Sequence, residues 1–246
     1  MTKKIINIWE GTYPLIIYTF VVSFVFGILM NYTPMDKLGS LAVEAVAKLI
    51  CIFCMLYFYH KAPRRQARAK HKVKDGILIL VTAVCFSVAF NNIISLTPLK
   101  AWSGSYTEVE NMIYSASLFW QILSAGILAP ILEEIVFRGI LFGNYRAAIG
   151  TWPAIIASSV IFGLMHYNLV QFVYALILGV YFAYLLEKTG EIWTCMLGHI
   201  VANLSGVVLT NLGITNWMFS DVTICLISGI ATLVTGVVIM VKWKKV

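Results

Sequence analysis

Two adjacent glutamates, Glu133 and Glu134, stand in an apolar stretch of the chain that also contains Arg138. On an α-helix, residues four apart share a face, so Glu134 and Arg138 can pair in the favoured order. Glu133 then points about 100° away from that face. A charged side chain inside a membrane is costly and is by default a functional hypothesis. The spacing therefore predicts that Glu134 and Arg138 brace the helix and that Glu133 is free to react.

Two of the four histidines, His166 and His199, also lie in apolar runs. His199 precedes Asn203 by four residues, so both side chains share one helical face. A carboxylate and an imidazole directed at one water molecule can remove its proton, which would be the work of Glu133 and His166. An imidazole and an amide can donate to the oxyanion formed when that water attacks a carbonyl, which would be the work of His199 and Asn203. The chemistry that this set favours is amide hydrolysis.

Other interpretations of these residues remain open at this stage. Glu133, His166 and His199 could instead bind Zn²⁺, because three protein ligands and a water are the usual catalytic arrangement. The helical zinc-protease motif H-E-x-x-H is absent, and Ser205 lacks the glycine two positions earlier that an intramembrane serine nucleophile of the rhomboid type would need. A single intramembrane histidine commonly bonds a neighbouring helix, so the set could also be a structural polar network. A proton-coupled transporter is disfavoured because no internal repeat is visible.

The elements that would position these residues are predicted to be transmembrane helices. The 246-residue chain is 60% hydrophobic and 12% charged, with a mean hydropathy of +0.87, whereas soluble proteins have about 25% charged residues. A span needs about 20 apolar residues. Eight runs fit that description, with approximate bounds 12–31, 41–60, 76–97, 113–142, 152–167, 169–187, 192–211 and 222–241. The sequence therefore predicts an all-α polytopic bundle of about eight transmembrane helices, forming a single domain over residues 1–246 with a catalytic core at about 113–211.

The net charge of +7 is unevenly distributed along the chain. Seven of the 18 lysines and arginines lie between Lys61 and Lys74, in a short loop of the kind found on the cytoplasmic side beside anionic lipids. With eight spans, both termini are then expected in the cytoplasm. No basic soluble module is present that could bind nucleic acid, so the lipid bilayer is the expected surrounding and nucleic acid is not an expected partner.

Two further features concern the helices themselves. Glu44 and Lys48 are four residues apart in the second run, and we interpret them as an ion pair on a helix face without a functional role. Pro130 lies in the fourth run and lacks the amide that would continue the helical hydrogen bonds, so a kink is predicted just before Glu133. All five cysteines fall inside apolar runs, where ordinary packing is the expected role.

Three short motifs occur in order within residues 133–203: Glu133-Glu134-x-x-x-Arg138, Phe162-x-x-x-His166 and His199-x-x-x-Asn203. Together they resemble the motifs of the CPBP family, which contains CAAX prenyl proteases and bacteriocin-processing enzymes and is also called the Abi family. The resemblance implies an eight-span intramembrane endopeptidase of the cell membrane, with its site reached from the cytoplasmic side. Its substrate would be a membrane-associated or lipidated peptide, such as a CAAX-like, leader, pheromone or bacteriocin precursor.

The resemblance also implies roles for individual residues. Glu133 would be the water-activating base with His166, and His199 with Asn203 would form the oxyanion side. Supporting roles would fall to the remaining motif members, Glu134, Arg138 and Phe162. Members of the family are often labelled metalloproteases, so Zn²⁺ held by the glutamate and the two histidines is one expectation, and a metal-free water activated by glutamate is the other. The alternative function is a non-catalytic bacteriocin-immunity or scaffold protein that keeps the same residues as a polar network.

Overall fold

The computed structural model describes residues 2–32, 35–64 and 73–244. All regular secondary structure in these ranges is helical, which confirms the predicted all-α class. In chain order the elements are α1 (Lys3–Tyr32), α2 (Met35–Lys61), α3 (Val73–Ser95), α4 (Leu99–Trp102), α5 (Gly104–Ser115), α6 (Leu118–Trp120), the π-helical segment π1 (Gln121–Leu128), α7 (Ala129–Glu133), the π-helical segment π2 (Glu134–Phe142), α8 (Gly143–Ile149), α9 (Thr151–Leu164), α10 (Leu169–Thr189), α11 (Ile192–Asn211), α12 (Ile214–Phe219) and α13 (Val222–Lys244).

Six of the described helices are long and apolar enough to cross a bilayer, which makes the chain a multi-pass membrane protein. They are Lys3–Tyr32, Gly39–Lys61, Asp75–Ser95, Leu169–Thr189, Ile192–Asn211 and Val222–Trp243. The other two expected spans differ from a straight α-helix of full length. The fourth is divided between α and π segments, and the fifth, α9, has 14 residues and a length of about 21 Å, which is less than the roughly 30 Å of a hydrocarbon core.

Much of the predicted cytoplasmic basic loop falls in residues 65–72, outside the described residues. The side of the membrane on which the termini lie therefore stays a prediction.

The central helix, residues 118–149, is continuous from α6 to α8 and contains both π-helical segments. At the end of π1, the amide of Ala129 donates to the carbonyl of Ser124, five residues earlier. Pro130 follows within α7, so the disturbance expected there takes the form of two π segments on either side of a short α turn. Such i→i+5 segments are rare and occur frequently at functional sites.

The central helix is also the core of the bundle. All nine residues of π2 are buried, and apolar side chains of α1, α2, α9 and α10 pack against it. Three glycines allow this close packing: a Cβ atom at Gly126 would lie 2.5 Å from Leu204, one at Gly139 would lie 2.5 Å from Tyr59, and one at Gly143 would lie 2.8 Å from the Pro63 carbonyl oxygen. The glycines therefore serve close helix approach rather than a break in the helix.

Candidate active site

A cavity of about 320 Å³ lies between the helices beside α7. Its lining includes all four residues that the sequence predicted to be catalytic: Glu133, His166, His199 and Asn203. They come from three different parts of the chain, namely the central helix, the turn after α9, and α11. The structure therefore brings the predicted set to one cavity, although it does not place every member in direct contact with the others.

The closest approach across the cavity is between Glu133 and His199. Glu133 is the last residue of α7, and its Oε2 lies 3.6 Å from Nε2 of His199. Its side chain is 18% exposed, compared with 7% for His199. The carboxylate of Glu133 is thus accessible from the cavity and lies next to an imidazole nitrogen.

Glu134 points the other way, into the protein, and is completely buried. Its Oε1 lies 3.1 Å from a terminal nitrogen of Arg138, so the ion pair expected from the spacing is present. The same oxygen accepts a hydrogen bond of 2.8 Å from Nδ1 of His199. This second contact was not predicted, because spacing along one helix relates Glu134 only to Arg138. It fixes Nδ1 of His199 as a donor and turns Nε2 towards Glu133 and the cavity.

Aromatic rings enclose this buried network. The guanidinium carbon of Arg138 lies 4.3 Å from the ring centroid of Phe162 and 5.6 Å from that of Phe182. Phe182 also stacks on His199, with ring centroids 4.7 Å apart and an interplanar angle of 23°. A Cβ atom at Gly179 would lie 3.0 Å from a guanidinium nitrogen, so α10 approaches Arg138 closely. Phe182 and Gly179 were missed because an apolar residue and a glycine in an apolar helix give no chemical signal.

His166 lies in the turn between α9 and α10, beyond the end of the helix that was expected to contain it. Its Nδ1 donates to the carbonyl oxygen of Phe162 at 2.9 Å, and the two rings meet edge to face at 5.0 Å. Nε2 is then the nitrogen that can accept a proton. No hydrogen bond joins His166 to Glu133 in the described part of the chain. The adjacent Asn168 accepts from the amide of Gln171 at 2.8 Å and thereby starts α10.

Asn203 lies one turn after His199 on α11, on the cavity side as predicted. Its Nδ2 donates to the carbonyl oxygen of Ala125 in π1 at 2.9 Å. An amide nitrogen carries two protons, so the contact with Ala125 orients the side chain and leaves the second proton for a molecule in the cavity.

Zinc binding by Glu133, His166 and His199 stays a prediction. Among the described residues, no three His, Cys, Asp or Glu side chains are grouped so that they could hold one ion. Glu133, His166 and His199 share the cavity. Nδ1 of His166 is bonded to a backbone carbonyl and Nδ1 of His199 to Glu134, which leaves Nε2 of both rings to accept a proton or to bind a metal. Because the three side chains are not grouped around one point among the described residues, no chemical step below passes through a metal.

A second ion pair, for which the sequence predicted no function, lines the same cavity. Lys48 Nζ lies 3.0 Å from Glu44 Oε2. Ser124 of π1 holds both partners: its carbonyl oxygen and Oγ lie 3.4 and 3.3 Å from Lys48 Nζ, and its hydroxyl donates to Glu44 Oε2 at 3.2 Å. The pair was expected on an ordinary helix face, but the structure places it among the residues of the candidate site.

Two comparisons with known proteins cover this region of the chain. Residues 115–205 match the family described as type II CAAX prenyl endopeptidase Rce1-like. The Bacillus subtilis (strain 168) protein named "Putative membrane peptidase YdiL" is 28% identical over 182 residues, which cover 71% of this chain and 74% of that protein. No solved structure matches the chain. The matched region contains all three motifs, so residues 115–205 are similar to the Rce1-like endopeptidases, within a chain that has the helices of a multi-pass membrane protein.

Proposed function

We propose that the protein is an intramembrane endopeptidase in which Glu133 activates the attacking water. The observation that carries this proposal is the division between the two adjacent carboxylates. Glu134 is sealed against Arg138 and His199, whereas Glu133 is open to a cavity that also contains His166 and Asn203. A free carboxylate beside two imidazoles and an amide is what amide hydrolysis by an activated water requires.

The first step is attack of water on the peptide carbonyl. Glu133 accepts one proton of the water, and Nε2 of His166 accepts a hydrogen bond from the other, because Nδ1 of that ring already donates to Phe162. The water oxygen forms a bond to the carbonyl carbon, and the carbonyl electrons move to the oxygen. Enclosure in the cavity strengthens these interactions relative to bulk water.

The second step is stabilisation and collapse of the tetrahedral intermediate. The free amide proton of Asn203 donates to the oxyanion. His199 adds a second donor when both of its nitrogens carry protons, with Glu134 as the counter-charge at 2.8 Å. Collapse breaks the carbon–nitrogen bond, and the proton held by Glu133 passes to the departing amine. A carboxylic acid and an amine are the products, and no proton is left over.

The lining of the cavity supports a proposal for the substrate class. Its lining combines the polar residues above with apolar side chains of α1, α5 and α10, so it suits a peptide that carries apolar side chains or a lipid group. A membrane-associated or lipidated peptide is the substrate that we propose, such as a CAAX-like, leader, pheromone or bacteriocin precursor. We expect the site to be reached from the cytoplasmic side of the cell membrane.

The direct test is peptide cleavage by the purified full chain in proteoliposomes. Glu133→Gln removes the base but keeps the size of the side chain, so cleavage should fall by at least about 100-fold. Glu108→Gln is the matched control, because Glu108 is an exposed glutamate on α5 and its loss should leave cleavage unchanged. Cleavage at the wild-type rate by a folded Glu133→Gln protein would overturn the proposal.

The metal-free route has its own test. The proposed mechanism predicts that cleavage persists after prolonged dialysis against a chelator, and that zinc does not co-purify in stoichiometric amount. Loss of cleavage on dialysis, restored by added Zn²⁺, would contradict the mechanism and favour the metal-assisted alternative.

A non-catalytic scaffold or immunity function is the second candidate, favoured by the buried network of Glu134, Arg138 and His199. That network joins the central helix to α11 and would stabilise the bundle even if no reaction took place. The scaffold function predicts that Glu133→Gln preserves the cellular phenotype, whereas Glu134→Gln destroys it through the fold. The peptidase function predicts that both substitutions abolish the phenotype.

A further inference from the structure

The two members of the Glu44–Lys48 ion pair differ in how many further hydrogen bonds they can form. Lys48 Nζ has three protons and three polar atoms within reach, namely Glu44 Oε2 and the two oxygens of Ser124. Glu44 uses only Oε2, which faces both Lys48 and the Ser124 hydroxyl. Its Oε1 has no hydrogen-bond partner in the described part of the chain, and the side chain is 27% exposed. The group that can bind a molecule in the cavity is therefore the carboxylate rather than the ammonium.

The charges on the cavity wall favour a positively charged partner for that carboxylate. Apart from the histidines, the charged side chains that line the cavity are the carboxylates of Glu44 and Glu133 and the ammonium of Lys48. Hydrogen bonds that join charged groups are shorter and stronger than neutral ones. A Lys or Arg side chain, or an N-terminal ammonium, would therefore bind Glu44 Oε1 better than a neutral donor would.

The position of Glu44 relative to the reacting groups can be read from the central helix. Ser124, which holds Glu44, is next to Ala125, whose carbonyl oxygen holds Asn203. Nine residues separate Ser124 from Glu133, an axial distance of at most about 14 Å. An extended peptide covers that distance in about four residues. A group bound at Glu44 would thus lie within about four residues of the scissile bond, on the side of Asn203.

We propose that Glu44, held in place by Lys48 and Ser124, is a specificity-determining residue that binds a cationic group of the peptide substrate near the scissile bond. The inference rests on the proposed peptidase function and adds to it a preference for a basic residue or a free N-terminus. A purely structural pair would join α2 to π1 equally well but would not discriminate between substrate charges.

The test uses fluorogenic peptides in which a single Lys, Gln or Glu is moved along an otherwise apolar sequence, with cleavage positions read by mass spectrometry. For the wild type, kcat/KM for the best Lys peptide should exceed that of its Gln counterpart by about tenfold or more. The Glu counterpart should be the poorest. Acetylated and free N-termini distinguish the two sources of the cation: a side chain is the source if acetylation has no effect, and a terminal ammonium is the source if acetylation abolishes the preference.

Two substitutions should shift this preference in opposite directions. Glu44→Gln leaves Lys48 without its partner, so the Lys preference should disappear and the Glu peptides should improve. Lys48→Met leaves the carboxylate uncompensated, so the Lys preference should exceed that of the wild type. Because only one of the two variants needs to fold, the proposal stays testable if the other does not. Glu108→Gln should keep the wild-type pattern.

The outcomes separate this inference from the function on which it rests. If the wild type cleaves none of the peptides, the proposed function itself fails. If the wild type cleaves the Lys, Gln and Glu peptides with equal kcat/KM while Glu133→Gln cleaves none, the function stands and the charge preference is overturned. An identical preference in the wild type and in Glu44→Gln would overturn the role of Glu44.

Discussion

Two glutamate–cation pairs with the same four-residue spacing occur in this chain, and their surroundings differ completely. Glu134 and Arg138 are 0% and 1% exposed, and Glu134 also binds His199. Glu44 and Lys48 are 27% and 12% exposed and line the cavity. The spacing that predicts a pair is identical, so the direction in which each helix face points determines what the pair does. One pair holds a histidine of the site in place, and the other faces the space where a substrate would bind.

The contribution of the Glu134–Arg138 pair to stability depends on its burial. Arg138 has only Glu134 as a charged partner within the described network, and its guanidinium otherwise lies against the rings of Phe162 and Phe182. Removal of one member of a buried pair leaves the other charge without compensation, which costs far more than the loss of an exposed pair. The two pairs should therefore respond very differently to the same substitution.

The largest expected effect is on stability at Glu134. Glu134→Gln leaves the Arg138 guanidinium buried without a counter-charge and should lower the free energy of unfolding by about 3–5 kcal/mol. Glu44→Gln leaves Lys48 with the two oxygens of Ser124 still in reach and should cost less, about 1–2 kcal/mol. Denaturant unfolding of both variants in the same detergent measures the difference. Equal losses of unfolding free energy would show that the difference in burial does not determine what each pair contributes to stability.

Removing both members of the buried pair sharpens this prediction. Glu134→Leu combined with Arg138→Met leaves no uncompensated charge, so part of the lost stability should return. Cleavage should stay impaired, because His199 no longer has an acceptor for Nδ1. Recovery of cleavage together with stability would contradict the positioning role of Glu134 and would leave it a purely structural residue.

A smaller effect is expected at Ser124, which is completely buried and bonded to both Glu44 and Lys48. Ser124→Ala should lower the free energy of unfolding by about 1 kcal/mol, the usual contribution of one hydrogen bond. KM for peptides with a basic residue should rise, while kcat changes little, because the reacting groups are unaffected. Michaelis–Menten kinetics on the Lys and Gln peptides measure this, and a fall in kcat alone would contradict it.

The smallest effect concerns a carboxylate outside both pairs and outside the spans. Asp221 accepts hydrogen bonds from the amides of Thr223 and Ile224 at the start of α13. These bonds lower its pKa below the usual value of 3.8. The resulting stabilisation is complete above that value and is lost as the pH falls towards the lowered pKa. Asp221→Asn should lack this part of the acid dependence, which unfolding at about pH 6 and about pH 3 measures. An identical acid dependence in both proteins would contradict it.

Much of the fold could be predicted because a membrane restricts the choice of structure. Apolar runs long enough to cross a bilayer must form helices, and six of the predicted runs appear as such helices. The π-helical character of the central helix could not be predicted, since hydrophobic pattern does not distinguish i→i+5 from i→i+4 bonding. The end of α9 was placed too late, and His166 was therefore assigned to a helix although it lies in the following turn.

The residues around the cavity were predicted only where their chemistry is unusual in a membrane. Glu133, His166, His199 and Asn203 are polar residues at helical spacing, and they line one cavity. The bond from His199 to Glu134 was missed because only the pairing of Glu134 with Arg138 follows from spacing within one helix. The place of Glu44 and Lys48 in the cavity was missed because a helix that is apolar on most sides does not reveal which side faces the interior.

We propose that Glu133 acts on the substrate, whereas Glu134 stabilises the fold through Arg138 and His199. The most direct measurement determines kcat/KM and the free energy of unfolding on the same preparation of Glu133→Gln, beside the wild type. We expect kcat/KM to fall by at least about 100-fold, with the unfolding free energy unchanged within about 0.5 kcal/mol. Cleavage that persists at the wild-type rate, or that is lost only together with the fold, would contradict it.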